Sequence, residues 1–272
     1  MNNEILIRLG FFFAVLLLMG LWEQLVPRRT RGYSRKVRWV NNLGLVLLNS
    51  LAVRWVFPVL AVGFAFLVQD RQWGVLNQFD LPYWLEVGLA VAFMDFSIYL
   101  QHVVFHALPT LWRIHRMHHA DPDFDVTTGL RFHPIEIILS MGVKLAVVAL
   151  LGASPIAVLI FEVVLNATAM FNHGNIRLPR GVDELLRLVM VTPDMHRVHH
   201  SIIRQETDSN FGFNLPWWDR LFGTYRNQPA MGHESMTIGL EIFRDPKMLT
   251  LPWLLAIPFI GTSPPDSSSL EY

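Results

Sequence analysis

The stretch from His102 to His119, HVVFHALPTLWRIHRMHH, decides how the rest of this 272-residue chain is read. His102 and His106 stand four residues apart, and His115, His118 and His119 follow in the pattern H-x-x-H-H. On a helix of 3.6 residues per turn, positions i, i+3 and i+4 share a face, so each group points its imidazoles one way. The second pattern returns at His196, His199 and His200, and ten of the eleven histidines lie between His102 and His200. A single such histidine is usually an ordinary core or surface residue. That account fails for the set. Buried imidazoles without partners cost about 1–3 kcal/mol each, and exposed ones need no spacing. The spacing points to metal binding by eight side chains, with His133 and His173 available as further ligands.

The residues around this stretch are apolar. The chain is 52% hydrophobic and 16% charged, against about 25% charged for a typical soluble domain. That deficit implies a membrane. Crossing the hydrocarbon core takes roughly 20 helical residues. Residues 5–26 are expected to span, with Arg8 and Glu23 snorkelling to the interfaces. No small-residue cleavage site supports a signal peptide there. Residues 43–68, interrupted by Arg54 and Pro58, form a second run, and 85–105 a third that carries Asp95 and His102. Runs 135–152 and 155–171 meet at Gly152, Ala153, Ser154 and Pro155 and read as a hairpin that dips in and returns. With this count, His102 to His133 and His173 to His200 lie on one side. Arg28, Arg29, Arg31, Arg35, Lys36 and Arg38 make that side cytoplasmic by the positive-inside rule. The fold expected is an all-α, integral membrane helical bundle with a cytoplasmic, histidine-rich di-metal cap. Residues 1–84 hold the N-terminal spans and basic loop, 85–235 the catalytic part, and 236–272 an interfacial or packed helix with a disordered tail from Thr262 to Tyr272.

Ligand chemistry narrows the metal. Cysteine is absent, which removes thiolate ligands, iron–sulfur clusters and thiol catalysis. Neutral imidazole suits zinc, copper, iron and nickel. A structural zinc closes with four ligands, so eight or more imply two ions. The H-E-x-x-H protease pattern and the carboxylate-rich motif of soluble di-iron bundles are both missing. An all-imidazole pair of irons, able to use dioxygen against an unactivated C–H bond, is what remains. The formal net charge of zero argues against nucleic acid as a partner.

The three histidine boxes, in this order and with a hairpin between the second and third, resemble the fatty acid hydroxylase/sterol desaturase superfamily. Supporting segments are Leu111 to Ile114, Thr127 to Pro134, Phe171 to Asn175, Asn210 to Gly212 and Trp217 to Tyr225, over roughly residues 90–226. The resemblance implies two iron ions, dioxygen as co-substrate, a lipid substrate from the bilayer, and hydroxylation or desaturation. It implies ligand roles for His102, His106, His115, His118, His119, His196, His199 and His200, and for His133 and His173 at positions where relatives often carry histidine. No catalytic residue beyond the ligands is implied. Where some members carry one more histidine, this chain offers Asn172 as the nearest candidate to hold a water ligand.

Other residues divide between roles. Asp95 lies seven residues before His102 on the same helical face. It is expected to orient an imidazole, the alternative being a salt bridge to Arg54 or Lys144. Asp121, Asp123 and Asp125 read equally as support for the site or as a solvated acidic turn. Trp217, Trp218 and Phe222 are expected to cap the site, and His233 reads as a surface histidine. The chain shows no G-x-G-x-x-G fingerprint, cluster cysteine or haem module. Electrons are therefore expected from an external cytochrome, ferredoxin or flavin reductase. Short loops and no evident retention signal suggest a bacterial inner membrane. The competing readings are a zinc-dependent membrane hydrolase and a non-enzymatic membrane metal-binding protein.

Overall fold

The computed structural model describes residues 3–261; the tail from Thr262 to Tyr272 expected to be disordered lies outside them. Among the described residues the secondary structure is helical, apart from isolated bridges at Pro27–Ile176 and Ser201–Ile238. The long helices are α1 (Glu4–Leu25), α2 (Arg35–Val56), α3 (Ala61–Asp70), α4 (Tyr83–Ala107), α5 (Pro109–His119), α6 (Pro134–Leu151) and α7 (Pro155–Asn172). After them come the shorter α8 (Arg180–Leu186), α9 (Pro193–His199), α10 (Arg204–Thr207), α11 (Trp217–Leu221), α12 (Gly232–Ser235) and α13 (Leu251–Ala256). Local chemistry places several starts. Proline opens α5, α6, α7 and α9 at a position that has no intrahelical N–H to lose. Thr192 caps α9 by accepting from the Met195 amide at 3.3 Å.

Five helical stretches are long and apolar enough to cross a membrane: α1, α2 with α3, α4, α6 and α7. Their outward faces carry exposed apolar side chains such as Leu17 (69% exposed) and Trp55 (87%). Such a belt suits hydrocarbon as its solvent. The run expected as one interrupted span is two helices. Pro58 lacks an amide hydrogen and clashes with the preceding turn, so the chain breaks over residues 57–60 before α3 begins.

The hairpin of α6 and α7 is the centre of the bundle. Helix α1 packs on α7, α2 on α6, and α3 and α4 on both. Ala61, Val62, Ala65, Ala90, Ala153, Ala157 and Phe161 fill the core around the hairpin tip. Small side chains let these backbones approach closely. Gly152 makes the tip. It ends α6 at φ 76°, and a Cβ there would lie 2.6 Å from the Trp73 carbonyl oxygen.

The C-terminal segment is packed rather than loose. Leu254 and Ile257 are buried with Leu45 and Met117, and Arg116 donates to the carbonyls of Ile257 and Ile260 at 2.7 and 2.6 Å.

Glu23 does not snorkel. It is fully buried, and its Oε1 accepts from the amides of Val126 (2.6 Å) and Asn175 (2.8 Å). Arg8 is partly exposed and bonds Glu4 and Glu162. Most of the basic run is hydrogen-bonded within the protein, with Arg38 fully buried. Arg28 pairs with Asp194 and Glu234, and Arg29 donates to the carbonyls of His233 and Met236. Arg38, 0% exposed, holds Asp121 through two bonds of 2.8 Å and also bonds Asp125 and Thr128. Asp121 and Asp125 are thus buried partners of α2, not a solvated turn. Burial alone would raise the Asp121 pKa, but Arg38 and Arg131 outweigh it and hold it below the usual carboxylate range.

The tip gives a direct check. Gly152→Ala forces a side chain into left-handed backbone against Trp73, and is expected to destabilise the fold by about 1–3 kcal/mol. Gly142→Ala, inside α6 with open space at its Cβ, should leave the melting temperature in detergent unchanged or raise it. Equal shifts for the two variants would contradict this reading of the tip.

Candidate metal centre

One end of the bundle collects nine histidines. His102 and His106 come from the last turns of α4, His115, His118 and His119 from α5, and His173 from the C-terminal cap of α7. His196 and His199 end α9, and His200 caps it. They form two groups, within each of which the potential ligand atoms lie within 4.8 Å of one another. The first group is His102, His106, His115, His119 and His199; the second is His118, His173, His196 and His200. Each H-x-x-H-H box is divided. Its i and i+4 members enter one group and its middle member the other, in opposite senses for α5 and α9. Both groups lie at the same end of the spans, as the helix count requires.

The proton positions follow from the partners. A carbonyl oxygen only accepts, so an imidazole nitrogen facing one must carry the hydrogen. His102 Nδ1 donates to Phe211 O at 2.7 Å, His199 Nδ1 to Ser209 O at 2.7 Å, His173 Nδ1 to Ala169 O at 2.7 Å, and His118 Nδ1 to Arg131 O at 3.2 Å. His115 Nδ1 donates to Glu136 at 2.7 Å and His106 Nδ1 to Asp208 at 3.3 Å. In the neutral ring the other nitrogen is then bare. Burial, the largest cause, pushes His173 and His199 down to about 3 and His118, His119, His196 and His200 well below the ordinary histidine value. These six rings are therefore neutral at physiological pH.

The bare nitrogens face each other. His102 Nε2 lies 3.1 Å from His115 Nε2 and 3.0 Å from His199 Nε2, and His118 Nε2 lies 3.2 Å from His173 Nε2. With no hydrogen on either atom, these are not hydrogen bonds but opposed lone pairs. Adjacent nitrogens bound at about 2.1 Å on one octahedral ion would be about 3.0 Å apart, so the spacing suits a shared cation. His196 Nδ1 and both nitrogens of His200 are buried without a hydrogen-bond partner. Nine clustered imidazoles, with no thiolate in the chain, are a donor set that fits two divalent transition-metal ions.

Aromatic rings dry the centre. Phe132 stacks on His118 with centroids 4.6 Å apart, Trp112 lies 4.8 Å from His106, and Phe124 lies 5.1 Å from His200. Trp218 and Phe222, expected as the cap, pack instead on Phe96 of α4 at 4.9 and 5.8 Å. Trp217 donates to the Leu188 carbonyl at 2.6 Å.

Three further expectations need correction. His133 stands outside both groups. Its Nδ1 caps α6 by accepting from Ile135 N (3.2 Å), and its Nε2 donates to Leu255 O (3.3 Å), so both nitrogens are committed. Asp95 touches no imidazole, and Lys144 pairs with Glu162. Asp95 instead accepts from Trp218 Nε1 (2.8 Å) and Leu215 N (3.2 Å). It thereby steadies the loop whose Phe211 carbonyl holds His102. His233 is buried at 5% exposure beside Asp194. Asn172 is buried, with Nδ2 on the Phe213 carbonyl at 3.0 Å and Oδ1 unpartnered.

Sequence reasoning passed over Glu136, Asp208 and Asp219. Asp219 accepts from the amides of Phe211 and Gly212, both at 2.8 Å, and so shapes the same loop. Glu136 carried a weaker signal than Asp95, an acid in the first turn of an apolar span rather than inside one. A cavity of about 390 Å³ adjoins His102 and His115 between α2, α4 and α6, and reaches an exposed rim at Ser50 and Arg54.

Residues 87–224, half of the chain, match the family model described as fatty acid hydroxylase. The chain is 27% identical over 227 residues to ornithine lipid hydroxylase OlsE of Rhizobium tropici, covering 80% of this chain and 66% of that protein. It is 29% identical to alkylglycerol monooxygenase of Homo sapiens over 62% of this chain and 36% of that one. With cholesterol 25-hydroxylase of Rattus norvegicus the identity is 25%, over 69% of this chain and 61% of the relative. The chain thus spans between about a third and two thirds of these relatives' lengths. No solved structure matches it. With both H-x-x-H-H boxes inside the matched half, the chain belongs to the fatty acid hydroxylase family.

Proposed function

We propose that this chain is a membrane lipid hydroxylase that holds two iron ions, one in each histidine group, and uses dioxygen as co-substrate. The observation that carries the reading is the set of bare, buried Nε2 atoms opposed at 3.0–3.2 Å beside a cavity with an exposed rim at Ser50 and Arg54. The named substrates of the relatives are an ornithine lipid, an alkylglycerol and cholesterol. They share an amphiphilic build, which supports a lipid as the substrate here. Bound irons would supply the dioxygen-derived oxidant that removes hydrogen from an unactivated C–H bond.

The chain's own residues do the rest. Glu136, Asp208 and the carbonyls of Phe211, Ser209, Ala169 and Arg131 fix the tautomers and turn each Nε2 inward. Phe132, Phe124 and Trp112 exclude water, which protects a reactive oxidant from side reactions. Electrons come from an external cytochrome, ferredoxin or flavin reductase, because the sequence carries no cluster cysteines or dinucleotide fingerprint. The catalytic unit is assigned to residues 85–235. The end holding the histidines is placed on the cytoplasmic side of a bacterial inner membrane, on the strength of the cations from Arg28 to Arg38 at that end.

Protein purified and loaded anaerobically with ferrous iron should bind two irons per chain and consume oxygen with a lipid and a reductant. His118→Ala should cut that rate by more than the roughly 10–100-fold typical of losing a residue that merely supports a ligand. An unaltered rate in His118→Ala would overturn the assignment. Oxygen-independent turnover with zinc would favour a hydrolase. In a chelator-competition assay, Glu136→Ala should weaken metal retention about 10–100-fold by freeing the His115 ring; unchanged retention would contradict the role given to Glu136.

A further inference from the structure

The cavity beside the centre is not the plain apolar sleeve that a hydrocarbon chain would need. Glu136 is 4% exposed; one carboxylate oxygen holds His115 and the other, Oε2, bonds nothing. Asn49 is 7% exposed. Its Nδ2 donates to the Phe132 carbonyl at 2.9 Å, which fixes the amide and leaves Oδ1 buried and unpaired. Gln101 gives Nε2 to Ser140 Oγ at 2.7 Å and keeps Oε1 buried and unpaired. All three residues line the same cavity as His102 and His115. All three free atoms are acceptors, so the missing partners are donors. A saturated chain offers none and would leave three buried acceptors unmatched.

We propose that this protein oxidises its lipid at the polar end. The part of the substrate beside His102 and His115 carries hydroxyl or amine hydrogens received by Asn49, Gln101 and Glu136, and the hydrocarbon tail leaves past Ser50 and Arg54 toward the bilayer. This rests on the lipid hydroxylase reading above. One oxygen atom of dioxygen enters a C–H bond near the donor group to give an alcohol. The other leaves as water, with two electrons from the external donor and two protons. The polar end selects the substrate because an analogue lacking the donors leaves buried acceptors unpaired, which binding sites reject strongly.

The test reads binding without turnover. The full-length protein in detergent is titrated, by native mass spectrometry, with hexadecyl glyceryl ether and with the same lipid methylated on both hydroxyls. A second pair is hexadecylammonium and hexadecyltrimethylammonium. In at least one pair the uncapped lipid should bind at least about tenfold more tightly. The pair that discriminates tells whether the donor is a hydroxyl or an ammonium. Asn49→Leu should abolish the preference. Asn49→Asp, which keeps the acceptor but loses the bond to Phe132, should retain it; equal loss in both variants would assign Asn49 a purely structural role and overturn its part in recognition. Equal binding of capped and uncapped lipids in both pairs would overturn the proposal, whether or not the variants fold. Absence of oxygen-dependent product from every lipid would overturn the hydroxylase reading instead, leaving the binding result to stand by itself.

Discussion

Opposed lone pairs on unprotonated imidazoles, held about 3 Å apart in a buried site, are the constraint on which the rest of this structure depends. Carbonyl and carboxylate acceptors take the hydrogen of His102, His115, His118, His173 and His199 on the outer nitrogen. The inner nitrogens are left with no protein donor. A bound cation relieves that arrangement, and neutral, desolvated rings are the form in which imidazole binds one. The repeated H-x-x-H-H spacing has a geometric consequence. Each box gives an i, i+4 pair to one group and its middle histidine to the other, so two short helices serve both groups at once.

Holding nine imidazoles against that repulsion takes a stiff frame, and the polar end of the bundle supplies it. Glu23 ties α1 to the segments that follow α5 and α7. Arg38 ties α2 to Asp121 and Asp125 in the turn after α5. Asp95 and Asp219 hold the loop whose carbonyl orients His102. All of these groups are buried and hydrogen-bonded, and Arg38 with Asp121 and Asp125 is a buried ion pair. Removing one partner of such a pair strands the other at a cost of about 3–5 kcal/mol. The membrane helices therefore act as posts, and the buried polar contacts fix how the posts meet the site.

Much of this was legible because it is local. Apolar run lengths gave the spans, and i, i+4 spacing gave the boxes. The hairpin tip showed in Gly152 and Pro155, since left-handed backbone and a helix start each have a residue preference. What escaped was long-range. Arg38 read as one cation of an orientation-setting basic loop because its partner Asp121 is 83 residues away. His133 looked like a ligand because nothing in its neighbours shows that one nitrogen caps α6 while the other reaches Leu255. Glu136 went unnoticed because, unlike the mid-span Asp95, it sits in a span's first turn, which tolerates an acid without a special reason. His233 was misplaced because burial by distant segments leaves no periodic trace.

The central claim is that the two histidine groups are two metal sites. Anomalous-difference density measured at the iron edge, on crystals of the iron-loaded protein, tests it most directly. The account predicts two peaks, one enclosed by His102, His106, His115, His119 and His199 and the other by His118, His173, His196 and His200. A single peak, or peaks away from these rings, would contradict it.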